Sequence, residues 1–114
     1  MTPRITGICS MATRQILAEV GDAWHRRGGA QVVFEAVGGV EAARRVHDGE
    51  KFDVVVLAAD AIDKLVAAGG VIAGSKTDIA RSGVAIAVRR GAAQPAVDTE
   101  EALRKAVLSA RTLG

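Results

Sequence analysis

Three short apolar runs of the sequence are followed by turns, where a strand would pass into a helix, and the residues of these turns are small or polar apart from one methionine. They are Ser10, Met11, Gly38, Gly39, Ala59 and Asp60. The free backbone amides and the positive dipole at a helix start, together with the Ser10 hydroxyl, are groups that bind anions. The sequence therefore predicts a small anionic ligand at these turns. An ordinary N-cap at Ser10 and a tight turn at Gly38-Gly39 fit the same residues.

The three turns can act together only if the fold brings them to one edge of a sheet. The periodicity of the sequence predicts a fold of this kind. Short β-branched runs alternate with amphipathic segments, which is typical of strand-helix-strand units around a parallel sheet. Parallel strands deliver their carboxyl ends to one edge, where open α/β sheets bind ligands. We therefore expect an α/β fold with an open, mostly parallel sheet of four to five strands and helices on both faces.

Four strands and four helices are predicted. The strands are 4–9, 31–36, 52–57 and 83–88; the helices run from the Ser10 N-cap to about 27, from 40 to 47, from 61 (capped by Asp60) to 68, and from the capping box at 98–101 to about 111. Gly28 and Gly49 are expected to end the first two helices. The unbroken apolar run of the third strand, Val54 to Leu57, predicts burial on both faces, so this strand is expected to be central.

Length and composition exclude several functions. The 114 residues suit a single modest core. Basic and acidic residues are nearly balanced, 15 against 13, and aromatic residues are only 3% of the chain, so no nucleic-acid partner is expected. The pairs Arg26-Arg27 and Arg44-Arg45 are interpreted as solvated helix ends. No apolar run reaches the roughly 18 to 20 residues of a membrane span, so no direct membrane insertion is expected.

Residues for metal, cofactor or nucleophilic chemistry are scarce. The sequence has neither a Walker motif nor a dinucleotide fingerprint, so no cofactor is expected. His25 and His47 have no partner at metal-ligand spacing, so no metal site is predicted. Asp53, at a strand entry, is expected to hydrogen-bond local amides. Cys9 at a helix start could act as a nucleophile, but no histidine is placed to serve it, and no catalytic residue is assigned.

The turns and their flanking strands resemble a known protein family. The segments that carry the resemblance are Ile5 to Met11, Phe34 to Arg44, Phe52 to Asp60 and Gly83 to Val88. In order and spacing they resemble bacterial extracellular solute-binding proteins of the molybdate-binding type, within the type 2 periplasmic binding-protein fold. The resemblance implies that residues 1–114 form one α/β domain, the first lobe of a two-lobed protein whose second lobe is absent from this sequence.

The resemblance also implies a function. In that family two lobes close on an oxyanion, and the first lobe offers a serine after its first strand, which Ser10 matches. A second serine site follows the second strand, where this sequence has Val37, Gly38 and Gly39. Without that hydroxyl the turn leaves room for a larger organic anion, so the expected ligand is a small anion such as molybdate or an organic carboxylate. The expected function is solute binding, by a whole protein or a truncated fragment, for an ABC-type uptake system whose membrane component is a partner.

Further expectations concern activity, assembly and location. Some relatives are isomerases of small polycarboxylic acids, an activity for which Cys9, Ser10 or Asp60 would be the proton-transfer groups. A lone lobe would expose an apolar edge, which predicts self-association as a dimer. The resemblance implies a periplasmic location, whereas the amino terminus lacks a secretory signal, which leaves a cytoplasmic location open.

Overall fold

The computed structural model describes residues 4–114. The first three residues, part of the amino-terminal segment interpreted above as lacking a secretory signal, lie outside the described residues. The described chain divides into two compact units, one ending at Ile79 and the other running from Ala80 to Gly114. No helix in the described part is long and apolar enough to cross a membrane.

The first unit contains three strands and three helices. In chain order they are β1 (Arg4–Ser10), a 3-10 turn (Met11–Thr13), α1 (Arg14–Arg26), β2 (Gln31–Val37), α2 (Gly39–His47), β3 (Val54–Val56) and α3 (Ala59–Ala67). Both strand pairings are parallel. The predicted α/β class with a parallel, open sheet is confirmed.

The strand order is β2-β1-β3, so β1 is the central strand. The prediction that the third strand is central was wrong, because β3 is a three-residue edge strand. The apolar run of β3 does not reflect burial on both faces of the strand. Val55 packs against the hydrophobic core on one face of the sheet, whereas Val54, on the other face, is exposed.

Helices cover both faces of the sheet, as predicted. On one face Ile8 of β1 is fully buried in a cluster with Ala42 and Val46 of α2 and Leu65 of α3. Side chains alternate along a strand, so Cys9 lies on the opposite face. There it lines a groove with Leu17 of α1, which is also buried.

Two glycines end helices with backbone that other residues rarely adopt. Gly28 has φ +89° just after α1, and Gly49 has φ +95° just after α2. Both confirm the helix ends predicted from the sequence, because glycine tolerates the left-handed region without a Cβ clash.

The second unit contains one helix, α4 (Glu100–Ser109). Thr99 caps it, since the Thr99 Oγ1 accepts a hydrogen bond of 3.0 Å from the Ala102 amide, which confirms the cap predicted at 98–101. The prediction of a fourth strand at Gly83–Val88 was wrong: the segment is not in a strand, and Val84 is 98% exposed. A strand needs a paired strand for its backbone groups, and the second unit contains no strand with which this segment could pair. The described sheet therefore has three strands rather than four to five.

Candidate functional site

Ser10 and the turn before α2 meet at one edge of the sheet. Ser10 is the last residue of β1 and pairs with Val37, the last residue of β2. Gly39, the first residue of α2, comes two residues after Val37. A Cβ added to Gly39 would lie 3.8 Å from the Ser10 Cβ. The structure thus brings together two of the three turns singled out in the sequence.

The Ser10 hydroxyl does not cap a helix, contrary to the prediction. The residue has extended backbone (φ −73°, ψ 158°) and makes no side-chain capping hydrogen bond to the 3-10 turn that follows. Instead the Thr13 Oγ1 donates a hydrogen bond of 3.2 Å to the Ser10 carbonyl oxygen, which closes the turn and delays α1 to Arg14. The Ser10 hydroxyl is therefore not committed to a helix start. This role of Thr13 was not predicted, although its position three residues after Ser10 was the available signal.

The start of α2 has no side-chain cap. Gly38 is the N-cap residue (φ −56°, ψ 144°), and its carbonyl accepts a 2.9 Å hydrogen bond from the Ala42 amide. The first amides of a helix have no partner within the helix. A Cβ added to Gly38 would meet no atom within 4 Å, so there is open space beside these amides.

Ala59 and Asp60 lie at the same edge of the sheet, after β3, which is on the other side of β1 from β2. The prediction that Asp60 caps a helix from Ala61 was wrong, because α3 begins at Ala59 and Ala58 is the N-cap. Asp60 lies in the first turn, exposed, and its Oδ1 accepts a 3.0 Å hydrogen bond from the Ala61 amide. Its carboxylate brings a negative charge to this edge.

Met11 and Cys9 belong to a different surface. Both line an open groove of about 670 Å³ between α1 and β2. Met11 is half exposed, whereas Cys9 is fully buried and forms no disulfide. Cys9 directly precedes Ser10 in β1, but its side chain is buried in this groove, on the opposite face of the strand from Ser10. Within residues 4–114, no three His, Cys, Asp or Glu side chains converge as they would around a metal ion.

A family model of bacterial extracellular solute-binding proteins matches residues 5–113. The chain belongs to this family. Among curated proteins, an aconitate isomerase from a Pseudomonas species is 30% identical in an alignment 114 residues long. The alignment covers 96% of this chain and 44% of that relative. The chain thus spans less than half the length of that relative. No solved structure matches the chain significantly. The predicted solute-binding family is confirmed, while the molybdate-binding type stays a prediction.

In this member of the family, Arg45 of α2 holds the helix against β2. Its Nη1 and Nη2 each donate a 2.9 Å hydrogen bond to the Glu35 carboxylate, and its Nε and Nη2 donate bonds of 2.7 and 2.5 Å to Glu50. The guanidinium also lies 5.6 Å from the ring centroid of Phe52. We call these four residues the Arg45 cluster. It fixes the position from which α2 starts beside Ser10.

The interpretation of Arg44-Arg45 as a solvated pair was wrong for Arg45, whose side chain is only 21% exposed. Hydrogen bonds from Arg45 lower the pKa of Glu35 and the pKa of Glu50, and those two carboxylates raise the pKa of Arg45. The sequence carried no local signal for this cluster, because Glu35 lies ten residues from Arg45 on a different element.

Asp53, just before β3, hydrogen-bonds a backbone amide as expected, but the amide belongs to Thr6 of β1 rather than to the local chain. Its Oδ2 accepts hydrogen bonds of 2.9 Å from the Thr6 amide and 3.2 Å from the Thr6 hydroxyl. The Asp53 amide in turn donates a 2.9 Å bond to the Thr6 carbonyl oxygen. The residue joins β3 to β1, and through this link positions the turn that carries Asp60.

Proposed function

We propose that this chain forms one wall of a binding site for a small anionic solute, at the edge where β1 and β2 end. The observation that carries the proposal is the short distance between Ser10 and Gly39: a Cβ added to Gly39 would lie 3.8 Å from the Ser10 Cβ. This approach places a hydroxyl beside the uncapped start of α2. The hydroxyl, the amides and the helix dipole all favour negative charge at the same point.

The solute that fits this edge is an organic polycarboxylate rather than molybdate. At Gly38 there is open space instead of a second hydroxyl. A compact oxyanion would lose a charge-assisted hydrogen bond of about 1.5 to 3 kcal/mol there, whereas a longer carboxylate can extend across the space. The relative described above is named for aconitate, a tricarboxylate, which supports the same ligand class.

In the whole protein, this wall would face a second lobe across a cleft. Membership of an extracellular solute-binding family supports delivery of the solute to the membrane component of an ABC-type uptake system, from the periplasm. Exposed apolar side chains on α1, namely Ile16, Val20 and Trp24, support self-association of this chain.

Calorimetry against citrate, trans-aconitate, molybdate and sulfate tests the binding function. The two carboxylates should bind more tightly than the two inorganic anions. Ser10→Ala should weaken citrate binding by about tenfold or more, because a hydrogen bond to a charged group is lost. Ser82→Ala, a matched change at an exposed serine of the second unit, should leave affinity unchanged. Equal citrate affinity of Ser10→Ala and the wild type would refute the site.

A second function, isomerisation of a small polycarboxylic acid, is favoured by the aconitate isomerase relative. Such a reaction needs a group that removes and returns a proton. Of the three candidates, Cys9 is fully buried, the Ser10 hydroxyl is weakly acidic, and Asp60 is an exposed carboxylate. In this alternative we assign the proton transfer to Asp60.

Asp60→Asn separates the two functions. Removing a negative charge near an anionic ligand should strengthen citrate binding, by about twofold to fivefold. If Asp60 transfers the proton, the same variant loses conversion of trans-aconitate, followed by ultraviolet absorbance, while it still binds. Asp48→Asn is the matched control at an exposed carboxylate after α2. A wild-type chain that binds trans-aconitate without converting it would leave binding as the function.

A further inference from the structure

We propose that Val40 determines which polycarboxylate the anion site accepts, by contacting the hydrocarbon part of the ligand. The inference rests on the proposed function, because it concerns the ligand bound between Ser10 and the start of α2. Val40 is the second residue of α2 and directly follows Gly39. Its side chain is 88% exposed, the largest exposed fraction of any large apolar side chain within residues 4–79.

The solvent-facing side of α2 is polar except at Val40. Val40, Arg44 and His47 are spaced i, i+4 and i+7, so they lie along one side of the helix. Ala42, which is fully buried, lies on the opposite side. Arg44 and His47 are exposed residues of the last turn, where basic side chains complement the helix dipole. An exposed valine adds nothing to the core, and its β-branched side chain lowers helix propensity slightly. Packing and helix propensity therefore do not account for Val40.

The side chain of Val40 leans towards the place where the anion would bind. In an α-helix each Cα–Cβ bond tilts towards the N-terminus, so a side chain in the first turn reaches towards the helix start. Within the described chain, a Cβ added to Gly38 at that start would meet nothing within 4 Å. The free amides of the first turn point to the same end of the helix. A carboxylate held by these amides therefore has its carbon chain beside the methyl groups of Val40.

The surroundings of Val40 favour a carbon chain without hydroxyl groups. The turns after β2 and β3 consist of small or apolar residues before Asp60, namely Gly38, Gly39, Ala58 and Ala59. A ligand hydroxyl that faces Val40 would lose bound water without gaining a hydrogen-bond partner, which costs free energy. A hydrogen atom in the same position avoids that cost. The expected substrate class is thus polycarboxylates with a plain hydrocarbon chain, rather than hydroxy acids.

Two tricarboxylates that differ by one hydroxyl test this preference. Citrate is tricarballylate with a hydroxyl in place of the hydrogen on its central carbon. In calorimetry, the wild type should bind tricarballylate about threefold to tenfold more tightly than citrate, less than the roughly hundredfold of an enclosed apolar pocket, because this chain supplies one wall.

Val40→Thr should remove the preference while nearly keeping the shape of the side chain. The variant should bind the two ligands with affinities within about twofold of each other, because threonine offers the citrate hydroxyl a hydrogen-bond partner. Its melting temperature should equal that of the wild type, since Val40 is exposed. Val20→Thr is the matched control, at an exposed valine of α1 on the other face of the sheet, and should keep the wild-type ratio.

Nuclear Overhauser measurements locate the contact directly. The methylene protons of tricarballylate should give cross-peaks to the methyl groups of Val40 and none to those of Val20. Equal affinity of the wild type for the two ligands, or a preference that Val40→Thr leaves unchanged, would overturn the role of Val40 while the anion site stands. A wild type that binds neither tricarboxylate would overturn the anion site and the role of Val40 together.

Discussion

Arg45 and Glu35 are joined by two parallel hydrogen bonds of 2.9 Å, and this pair fixes α2 against β2. Paired bonds between a guanidinium and a carboxylate constrain orientation as well as distance. Because α2 begins at Gly39, the pair also determines where the helix start lies relative to Ser10. The geometry of the proposed anion site therefore depends on residues that do not touch the ligand.

Acid should weaken the Arg45 cluster. The pKa of Glu35 and that of Glu50 lie below the usual 4.5 because Arg45 donates hydrogen bonds to both carboxylates. A carboxylate whose pKa is lower in the folded state contributes stability above its unfolded pKa, and this is lost as pH falls through the folded pKa. When the melting temperature is measured from pH 7 to pH 3, it should decrease once the pH is below about 4.5.

The variant Arg45→Gln separates this contribution from general acid denaturation. It should melt lower than the wild type at pH 7, and the difference should shrink as the pH falls below about 4.5. Lys105→Gln, which removes an exposed pair with Glu101 at 3.8 Å, should follow the wild-type curve. A difference between Arg45→Gln and the wild type that stays constant down to pH 3 would show that the carboxylates do not titrate against Arg45.

Gly7 of β1 should not tolerate a side chain. A Cβ at this position would lie 2.5 Å from Cε1 of Phe34 on the neighbouring strand, so the ring would have to move. We expect Gly7→Ala to lower the free energy of unfolding by about 1 to 3 kcal/mol, measured by urea denaturation. Gly83→Ala is the control, since nothing lies within 4 Å of its added Cβ. Equal stability of the two variants would contradict the close approach.

Asp53 should hold β3 to β1 through its hydrogen bonds to Thr6. Removing the carboxylate in Asp53→Ala leaves the Thr6 amide without its acceptor and should cost about 1 kcal/mol in urea denaturation. Asp53→Asn keeps an acceptor oxygen and should lose less. Asp48→Ala, at an exposed aspartate after α2, should be neutral. If Asp53→Ala were as stable as Asp48→Ala, the hydrogen bonds between Asp53 and Thr6 would contribute nothing to the stability of the fold.

Local signals in the sequence predicted local structure well. Gly28 and Gly49 end helices and Thr99 caps α4, because each of these roles depends on a few adjacent backbone groups. The α/β class followed from alternating strand and helix periodicity. The strand order could not be predicted in this way. An apolar run like the one before Asp60 occurs both in central strands and in edge strands that pack on one face.

The candidate site was predicted in part. Parallel pairing of β1 with β2 brings Ser10 to Gly39, which the positions of the two turns already indicated. The role of Ser10 as a cap was wrong, because a 3-10 turn closed by Thr13 intervenes before α1. The fixing of α2 by Arg45 depends on contacts between distant residues, which no local pattern encodes.

Binding of an anion between Ser10 and the start of α2 is tested most directly by a nitrogen-15 NMR titration of the chain with citrate. The largest amide shifts should occur at Ser10, Gly39 and Val40, because these amides lie where the ligand is bound. Ser10→Ala should need about tenfold more citrate for the same shifts at Gly39 and Val40. Citrate-induced shifts that leave Gly39 and Val40 unmoved, or that are largest on α4, would contradict the proposed site.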